Sequence, residues 1–321
     1  MGINLASIIK RIKGYVGSLF LGNDYAINIL LATALAGGHA LIMGSVGAGK
    51  TTLAKALAKA LGGTFKRVQV TNETLPSDIL GFVVYTRDGN YRVVQGPIFA
   101  NVVLLDEINR APPRTLSALI EAMQEGQVTL DGMTYTLPKP HIVIATMNIQ
   151  EVELGREANL PLAILDRFLA SIIINYVVGD YERSVLINAD KIEDELSRQG
   201  NGVISMNEFQ WLVNFVRNVY VADAIYEYIL ALANTIRRDP RVSLPISTRA
   251  VISIMRLSRA LAALNGRDYV IPDDVKVAIY PALQHRIMVK PDLAGSVRPT
   301  DIINDALNSV PVPTFIQHVI K

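Results

Sequence analysis

Gly44-Ser45-Val46-Gly47-Ala48-Gly49-Lys50-Thr51 is the stretch whose reading decides the fold. It matches the phosphate-binding pattern G-x-x-x-x-G-K-[ST] at every fixed position. To its left, His39-Ala40-Leu41-Ile42-Met43 is a short apolar run that reads as a buried strand. To its right, Thr52 to Leu61 sets apolar and lysine positions at helical spacing and stops at Gly62-Gly63. Strand, glycine loop and helix together let successive N–H groups turn toward a phosphate, with the positive helix end behind them. Lys50 would then reach the β- and γ-phosphates of a bound nucleotide, and the Thr51 hydroxyl would hold Mg²⁺. The rival is a glycine-rich turn that meets the pattern by chance, and both flanks weigh against it.

The 321 residues leave room for two domains of ordinary size, and half of them are hydrophobic, enough for a substantial core. A formal charge of +2 gives no strong field for nucleic acid or a membrane surface. Cysteine is absent, which excludes disulfides, thiol catalysis and cysteine-ligated metals and suits a reducing, cytoplasmic setting. The amphipathic start, Ile3 to Lys13, has charges where a signal peptide would be apolar. Tyr25 to Gly49 carries no Asp, Glu, Lys or Arg and is long enough on paper to span a bilayer. Gly37-Gly38-His39 divides it and it ends in the phosphate loop, so a core helix followed by a core strand is expected and membrane insertion is not.

Along the chain, residues 1–35 read as two helices around Phe20-Leu21-Gly22-Asn23. Thr64 to Val70 reads as a second strand. Residues 81–85 and 91–94 flank Asp88-Gly89, and residues 128–130 and 133–135 flank Asp131-Gly132; both patterns signal hairpins. These are expected to project from the sheet. Asn101 to Leu105 and His141 to Ala145 are buried strands, with a helix over 112–125 between them. Residues 149–161 read as a loop, Leu162 to Leu169 as a helix end and Ser171 to Tyr176 as a fifth strand. Strands alternating with helices indicate an α/β fold with a parallel five-stranded sheet. Beyond Gly179 only helices are predicted, over 206 onward, 222–238, 248–265 and from 272. The expected domains are 1–179, α/β and nucleotide-binding, and 180–321, an all-α lid. No repeat or low-complexity tract interrupts either.

Asp106 ends an apolar strand, where such folds place a further Mg²⁺ contact. Glu107, next to it, can polarise an attacking water, which is hydrolase chemistry. Asn148 also follows a buried strand and would lie near that water or the γ-phosphate. Arg167, in Asp166-Arg167-Phe168, is either a partner of Asp166 or an arginine finger for a neighbouring subunit. Its own phosphate loop is expected on the far side of the sheet's centre. Arg249, in the first turn of a lid helix, could close on the phosphate within one subunit.

The order phosphate loop, Leu-Leu-Asp-Glu-Ile-Asn-Arg-Ala-Pro-Pro (104–113), Ala-Thr-Met-Asn (145–148), Leu-Asp-Arg-Phe (165–168) and Ser-Thr-Arg-Ala (247–250) resembles the MoxR family of AAA+ ATPases, over about Gly22 to Pro313. The resemblance implies that Lys50 and Thr51 are the first nucleotide motif and Asp106 and Glu107 the second. It makes Asn148 sensor 1, Arg167 the arginine finger and Arg249 sensor 2. Gly44, Ser45, Val46, Gly47, Ala48, Gly49, Lys50, Thr51 and Thr52 would hold the nucleotide, with Gly22 near its base. Two departures stand out: Asn148-Ile149 where the family has Asn-Pro, and Leu160-Pro161-Leu162-Ala163 where it has a glutamate. Both fall in the loop leading to Arg167.

The resemblance further implies a Mg²⁺-dependent ATPase that works as a homo-hexameric ring. Its role would be chaperone-like maturation of a client complex, often with a von Willebrand factor A domain protein as partner. One alternative is the motor subunit of a metal chelatase, which needs a porphyrin-binding partner. Another is a nucleic-acid motor of a restriction or helicase system, against which the near-neutral charge and the lack of room for a DNA-binding domain argue. A nucleotide switch with negligible turnover is the last, and Glu107 argues against it.

Overall fold

Strands that are apolar on both faces need helices on both sides, and the first part of this chain is built to that rule. In the computed structural model, residues 4–149, 160–198, 200 and 202–313 are described. Contacts divide the chain into two units, Met1–Asn214 and Phe215–Lys321.

In the first unit, helix α1 (Leu5–Leu19) is capped by Asn4 and α2 (Asp24–Leu35) by Asn23, each side chain accepting a hydrogen bond from the N–H three residues on. Strand β1 (His39–Gly44) follows, then α3 (Lys50–Leu61), β2 (Phe65–Gln69) and the short α4 (Pro76–Leu80). The hairpin β3 (Gly81–Tyr85) and β4 (Tyr91–Gln95) leads to β5 (Val102–Asp106) and α5 (Pro113–Glu125). A second hairpin, β6 (Gln127–Leu130) and β7 (Met133–Thr136), precedes β8 (Ile142–Asn148), the single turn α6 (Leu162–Leu165) and β9 (Phe168–Ile174). The expected loop over 149–161 lies, from 150 to 159, outside the described residues.

The sheet has the order β2-β5-β8-β1-β9 and every pairing is parallel. Each residue of β1, β5 and β8 is buried, whereas edge strand β2 is half exposed. Register decides which side chains meet at the strand ends. Gly44 pairs with Asn148 on one side and Ile174 on the other, Leu105 with Ala145, and Gln69 with Asp106. The carboxyl ends of the strands therefore share one rim, where open α/β sheets bind ligands.

Three local differences from the sequence reading have physical reasons. Strand β9 begins at Phe168, not Ser171, because Phe168 is fully buried and pairs with His39; the helix before it closes at Asp166, whose N–H donates to Leu162 O (2.9 Å). Helix α4 is too short to show a period, yet the Asp78 carboxylate accepts from the Leu75 N–H (2.8 Å) to start it. The hairpin tips differ from one another. Asp131 and Gly132 both have positive φ (48° and 80°), as a two-residue turn of the mirror type needs, while Asp88-Gly89 lies inside a longer loop closed by Thr86 N–H to Asn90 O (2.8 Å). The Tyr85 hydroxyl donates to Asp131 Oδ2 (3.2 Å), so the two hairpins touch.

The strand–helix alternation ends at 179, but the contact division comes later. Helix α7 (Asp180–Ser197) and the start of α8 (Met206–Arg217) are tied back to the first unit. The Tyr15 hydroxyl donates to Glu195 (2.8 Å), Lys59 to the Glu195 carbonyl, and Arg11 to Glu208 (2.5 Å). The second unit holds α9 (Asp223–Arg238), α10 (Thr248–Leu264), α11 (Pro272–Leu283) and α12 (Pro299–Ser309). Its helical character is as expected, with one addition: β10 (Val242–Leu244) pairs antiparallel with β11 (Met288–Val289), strands too short to leave a pattern in sequence. The buried Asp274 carboxylate takes two bonds from Arg267 (2.7 Å each) and one from the Ile271 N–H (2.9 Å), which starts α11. Among the described residues no helix is long and apolar enough to cross a membrane.

His39, at the buried start of β1, joins three elements. The Val143 N–H donates to its Nδ1 (3.0 Å), so Nε2 carries the proton and donates to Met123 O (2.8 Å). Burial, with His141 next to it, pulls the His39 pKa from 6.5 down to about 4. Between those values the unfolded chain binds the extra proton, so this group's contribution to stability is complete above pH 6.5 and is lost as pH falls toward 4. The slope from this one group is at most about 1.4 kcal/mol per pH unit. His39→Gln is expected to lower stability above pH 6.5 and to flatten the loss between pH 6.5 and pH 4 in urea unfolding. An unchanged pH slope in the variant would remove His39 from the account.

Candidate functional site

The loop between β1 and α3 is shaped by close approach on one side and by its lysine on the other. A Cβ on Gly44 would fall 2.1 Å from Ile174 O, so only glycine lets β1 and β9 come together there. Gly49 opens α3 in the left-handed region (φ 84°), again a glycine conformation. Lys50 Nζ donates to the carbonyls of Gly44 (2.8 Å) and Ser45 (2.7 Å), which places the ammonium inside the curve of the loop.

Facing the loop is Asp106, whose side chain is only 5% exposed. Its Oδ1 accepts from the Thr51 hydroxyl (3.1 Å) and the Thr146 hydroxyl (3.0 Å), and its Oδ2 from Arg67 Nε (2.6 Å). A buried carboxylate without such partners would be costly. Glu107 follows with a left-handed backbone (φ 58°, ψ 48°), rare outside glycine, and its N–H donates to Thr146 Oγ1 (3.0 Å). The strain of such a residue is of order 1–3 kcal/mol and persists only where neighbours enforce it. Glu107 Oε2 accepts from Gln69 Nε2 (3.1 Å) and Arg110 Nε (3.1 Å). Asn148, at the end of β8, is buried, and its Oδ1 has no hydrogen-bond partner among the described residues.

Residues 46–52 of the loop share one cavity of about 320 Å³ with Arg67, Gln69, Asp106, Glu107, Thr146 and Asn148. A second cavity, of about 600 Å³, shares Gly47, Ala48, Gly49 and Thr52 with the first. Its walls are Phe20 and Leu21, Tyr176 after β9, and an apolar side of α7 with Val185, Ala189 and Ile192. The first cavity is polar and fits phosphates. The Thr51 hydroxyl and the Asp106 carboxylate are hard oxygen donors suited to Mg²⁺, which keeps much of its shell as water and phosphate oxygen. The orphaned Asn148 Oδ1 fits a water or other donor brought with the ligand.

The structure thus brings together Lys50, Thr51, Thr52, Asp106, Glu107 and Asn148. Gly22 turns the chain behind the second cavity (φ 82°), with Tyr181 packed against it, and is not part of the cavity wall. Arg167 is not brought to the loop of its own chain. It precedes Phe168, which pairs with His39 at the start of β1, so the separation runs down the strand by about 16 Å. That corrects the expectation of a loop across the sheet's centre, because β1 and β9 are neighbours. Arg167 donates to Ala163 O and to Gln124 Oε1 (3.1 Å). Arg249 is the second residue of α10, in the second unit, behind the cap that Ser247 provides by accepting from the Ala250 N–H (3.1 Å).

Sequence reasoning missed Arg67, Gln69, Arg110 and Thr146. Period two could have found three of them. Arg67 and Gln69 share a face of β2, with Gln69 paired to Asp106, and Thr146 shares a face of β8 with Asn148.

The family model described as "ATPase family associated with various cellular activities (AAA)" matches residues 39–170, and that described as "AAA lid domain" matches 234–306. An uncharacterized protein, YeaC, of Bacillus subtilis is 38% identical over 97% of this chain and 96% of its own. Chaperone MoxR1 of Mycobacterium tuberculosis is 34% identical over 95% of this chain and 82% of its own. A crystal structure of a Cytophaga hutchinsonii protein superposes with a TM-score of 0.86 at 34% identity, covering 97% of this chain and 96% of that one.

Thr146→Val keeps the side chain's shape and removes its bonds to Asp106 and Glu107. It is expected to destabilise the protein by about 1–3 kcal/mol in urea unfolding, the cost of stranding buried polar groups. Thr146→Ser should recover most of that loss. Wild-type stability in the valine variant would show that the bridge is unimportant.

Proposed function

This chain belongs to the MoxR family of AAA+ ATPases and is an ATP hydrolase, and from that premise we propose how its site works and what it serves. The observation that carries the reading is the convergence of Lys50, Thr51, Asp106, Glu107 and Asn148 on one cavity.

The loop N–H groups and Lys50 bind the triphosphate. Thr51 and Asp106 would hold Mg²⁺, which would supply positive charge to offset that of the phosphates. Glu107 orients and polarises the attacking water, and Asn148 holds that water or the γ-phosphate through its buried amide. Arg167 is offered to the site of a neighbouring copy. A homo-hexameric ring in the cytoplasm is the assembly that supplies that neighbour. The work done is chaperone-like maturation of a client complex, with a von Willebrand factor A domain protein as the proposed partner. The chaperone name of the Mycobacterium tuberculosis relative supports this task. We assign nucleotide binding to residues 1–179 and the lid to 180–321, the projecting hairpins serving the client side.

Glu107→Gln is expected to bind ATP and Mg²⁺ with affinity close to wild type while hydrolysis falls by about 10²–10⁴. Calorimetry and a phosphate-release assay at saturating ATP check the two halves. Near-normal turnover would remove Glu107 from the water-orienting role.

For Arg167 the expected outcome concerns mixtures. Arg167→Ala should bind ATP yet hydrolyse it about 10³–10⁵ more slowly, as loss of an arginine finger does. Lys50→Ala should be inactive through failed phosphate binding. Mixed rings place an intact loop beside an intact Arg167 at some interfaces, so activity should partly return. If native mass spectrometry confirms mixed rings and no activity returns at any ratio, Arg167 does not act in trans.

A further inference from the structure

We propose that Tyr176 is a positioning residue for the phosphate loop and the wall on which the nucleotide's base stacks, so that one side chain serves both ends of the ligand. The inference rests on reading the site as a nucleotide site.

Gly44 and Ile174 are paired at the parallel ends of β1 and β9, and the Gly44 approach leaves no room for a side chain. Two residues beyond the end of each strand come Val46 and Tyr176. The Tyr176 hydroxyl donates to the Val46 carbonyl at 2.7 Å. A trans peptide sets its C=O and the next N–H in opposite directions. Holding the Val46 carbonyl therefore turns the Gly47 N–H away from Tyr176. Gly47 has φ 77°, with nothing within 4 Å of a would-be Cβ, so its surroundings impose little on this part of the loop. The hydroxyl of Tyr176 supplies a restraint that local packing does not. Lys50 restrains the other end of the loop through the Gly44 and Ser45 carbonyls.

The ring has a second use. Tyr176 lines the larger cavity beside Phe20, Leu21 and the apolar side of α7, while Val46 lines the smaller, polar one. The two cavities meet at Gly47, Ala48, Gly49 and Thr52. A nucleotide with its phosphates in the polar cavity has its base in the apolar one. Tyr176 is 59% exposed, so a ring face is available to a base. Aromatic rings stack on bases without needing a particular hydrogen-bond pattern.

Calorimetric titration with ATP and with inorganic tripolyphosphate, both with Mg²⁺, separates hydroxyl from ring. Tyr176→Phe should weaken both ligands by the same factor, about two- to tenfold, the worth of one hydrogen bond. Tyr176→Ala should weaken tripolyphosphate no further, but ATP by an additional factor of about five to a hundred. Thermal unfolding of both variants tests that the fold is kept, and the ratio of the two affinities is a readout that a loss of stability alone would not move. Wild-type affinity of the Phe variant for both ligands overturns the positioning role. An Ala variant that loses equally for both ligands overturns the stacking role. If the wild-type protein binds neither ligand, it is the nucleotide reading itself that fails.

Discussion

The buried carboxylate of Asp106 is the interaction on which the rest of the site depends. Three side chains from three different elements converge on it: Thr51 from α3, Thr146 from β8 and Arg67 from β2. Each bond also fixes something else. Thr51 holds the first turn of the loop helix to the sheet, Thr146 hands its lone pair to the Glu107 N–H, and Arg67 brings Gln69 and the edge strand into the network. In a low-dielectric setting such a network is stabilising only when every member is satisfied. The same atoms that would meet a metal ion therefore also set the register of strands and loop.

Preorganisation follows from that arrangement. The left-handed Glu107 could relax if its N–H were free, but Thr146 holds the N–H, and Gln69 and Arg110 hold the carboxylate. The strained backbone turns the glutamate out of the strand direction, into the cavity shared with the loop. Strain of this kind is found where an active site needs a side chain in one place.

Much of this is legible in the sequence because it is written in local patterns. The glycine loop, the apolar strands and the acidic pair after Leu105 each carry a period or motif of their own, and the five-stranded sheet follows from their alternation. What is illegible depends on partners far apart in the chain. Arg67 looks like one more charge on a short strand until Asp106 is set beside Gln69. Tyr176 looks like the end of a strand until Val46 is brought across to it. The start of β9 is ambiguous in sequence because Phe168 suits a helix end as well as a strand, and only its pairing with His39 decides. The short strands β10 and β11 have too few residues for any alternation to register.

The position of the cations bears on the proposed role of Arg167 toward a neighbouring copy. In the transition state negative charge is spread over the equatorial oxygens of the transferred phosphoryl group and builds on the leaving oxygen, and catalysis is largely the supply of fixed positive charge to meet it. Of the cations lining the polar cavity, Lys50 is engaged with the loop carbonyls and Arg67 with Asp106. Moving Arg67 to the phosphate would leave Asp106 short of a countercharge, at a cost that a buried carboxylate makes large. Arg167 stands at the opposite end of β1, beyond the reach of an arginine side chain from its own loop. It also precedes an edge strand, β9, whose outer side carries no further strand among the described residues. An arginine at that edge is better placed to serve another molecule than its own. In the proposed trans arrangement hydrolysis depends on assembly, because the strand register that builds the phosphate site also carries Arg167 away from it.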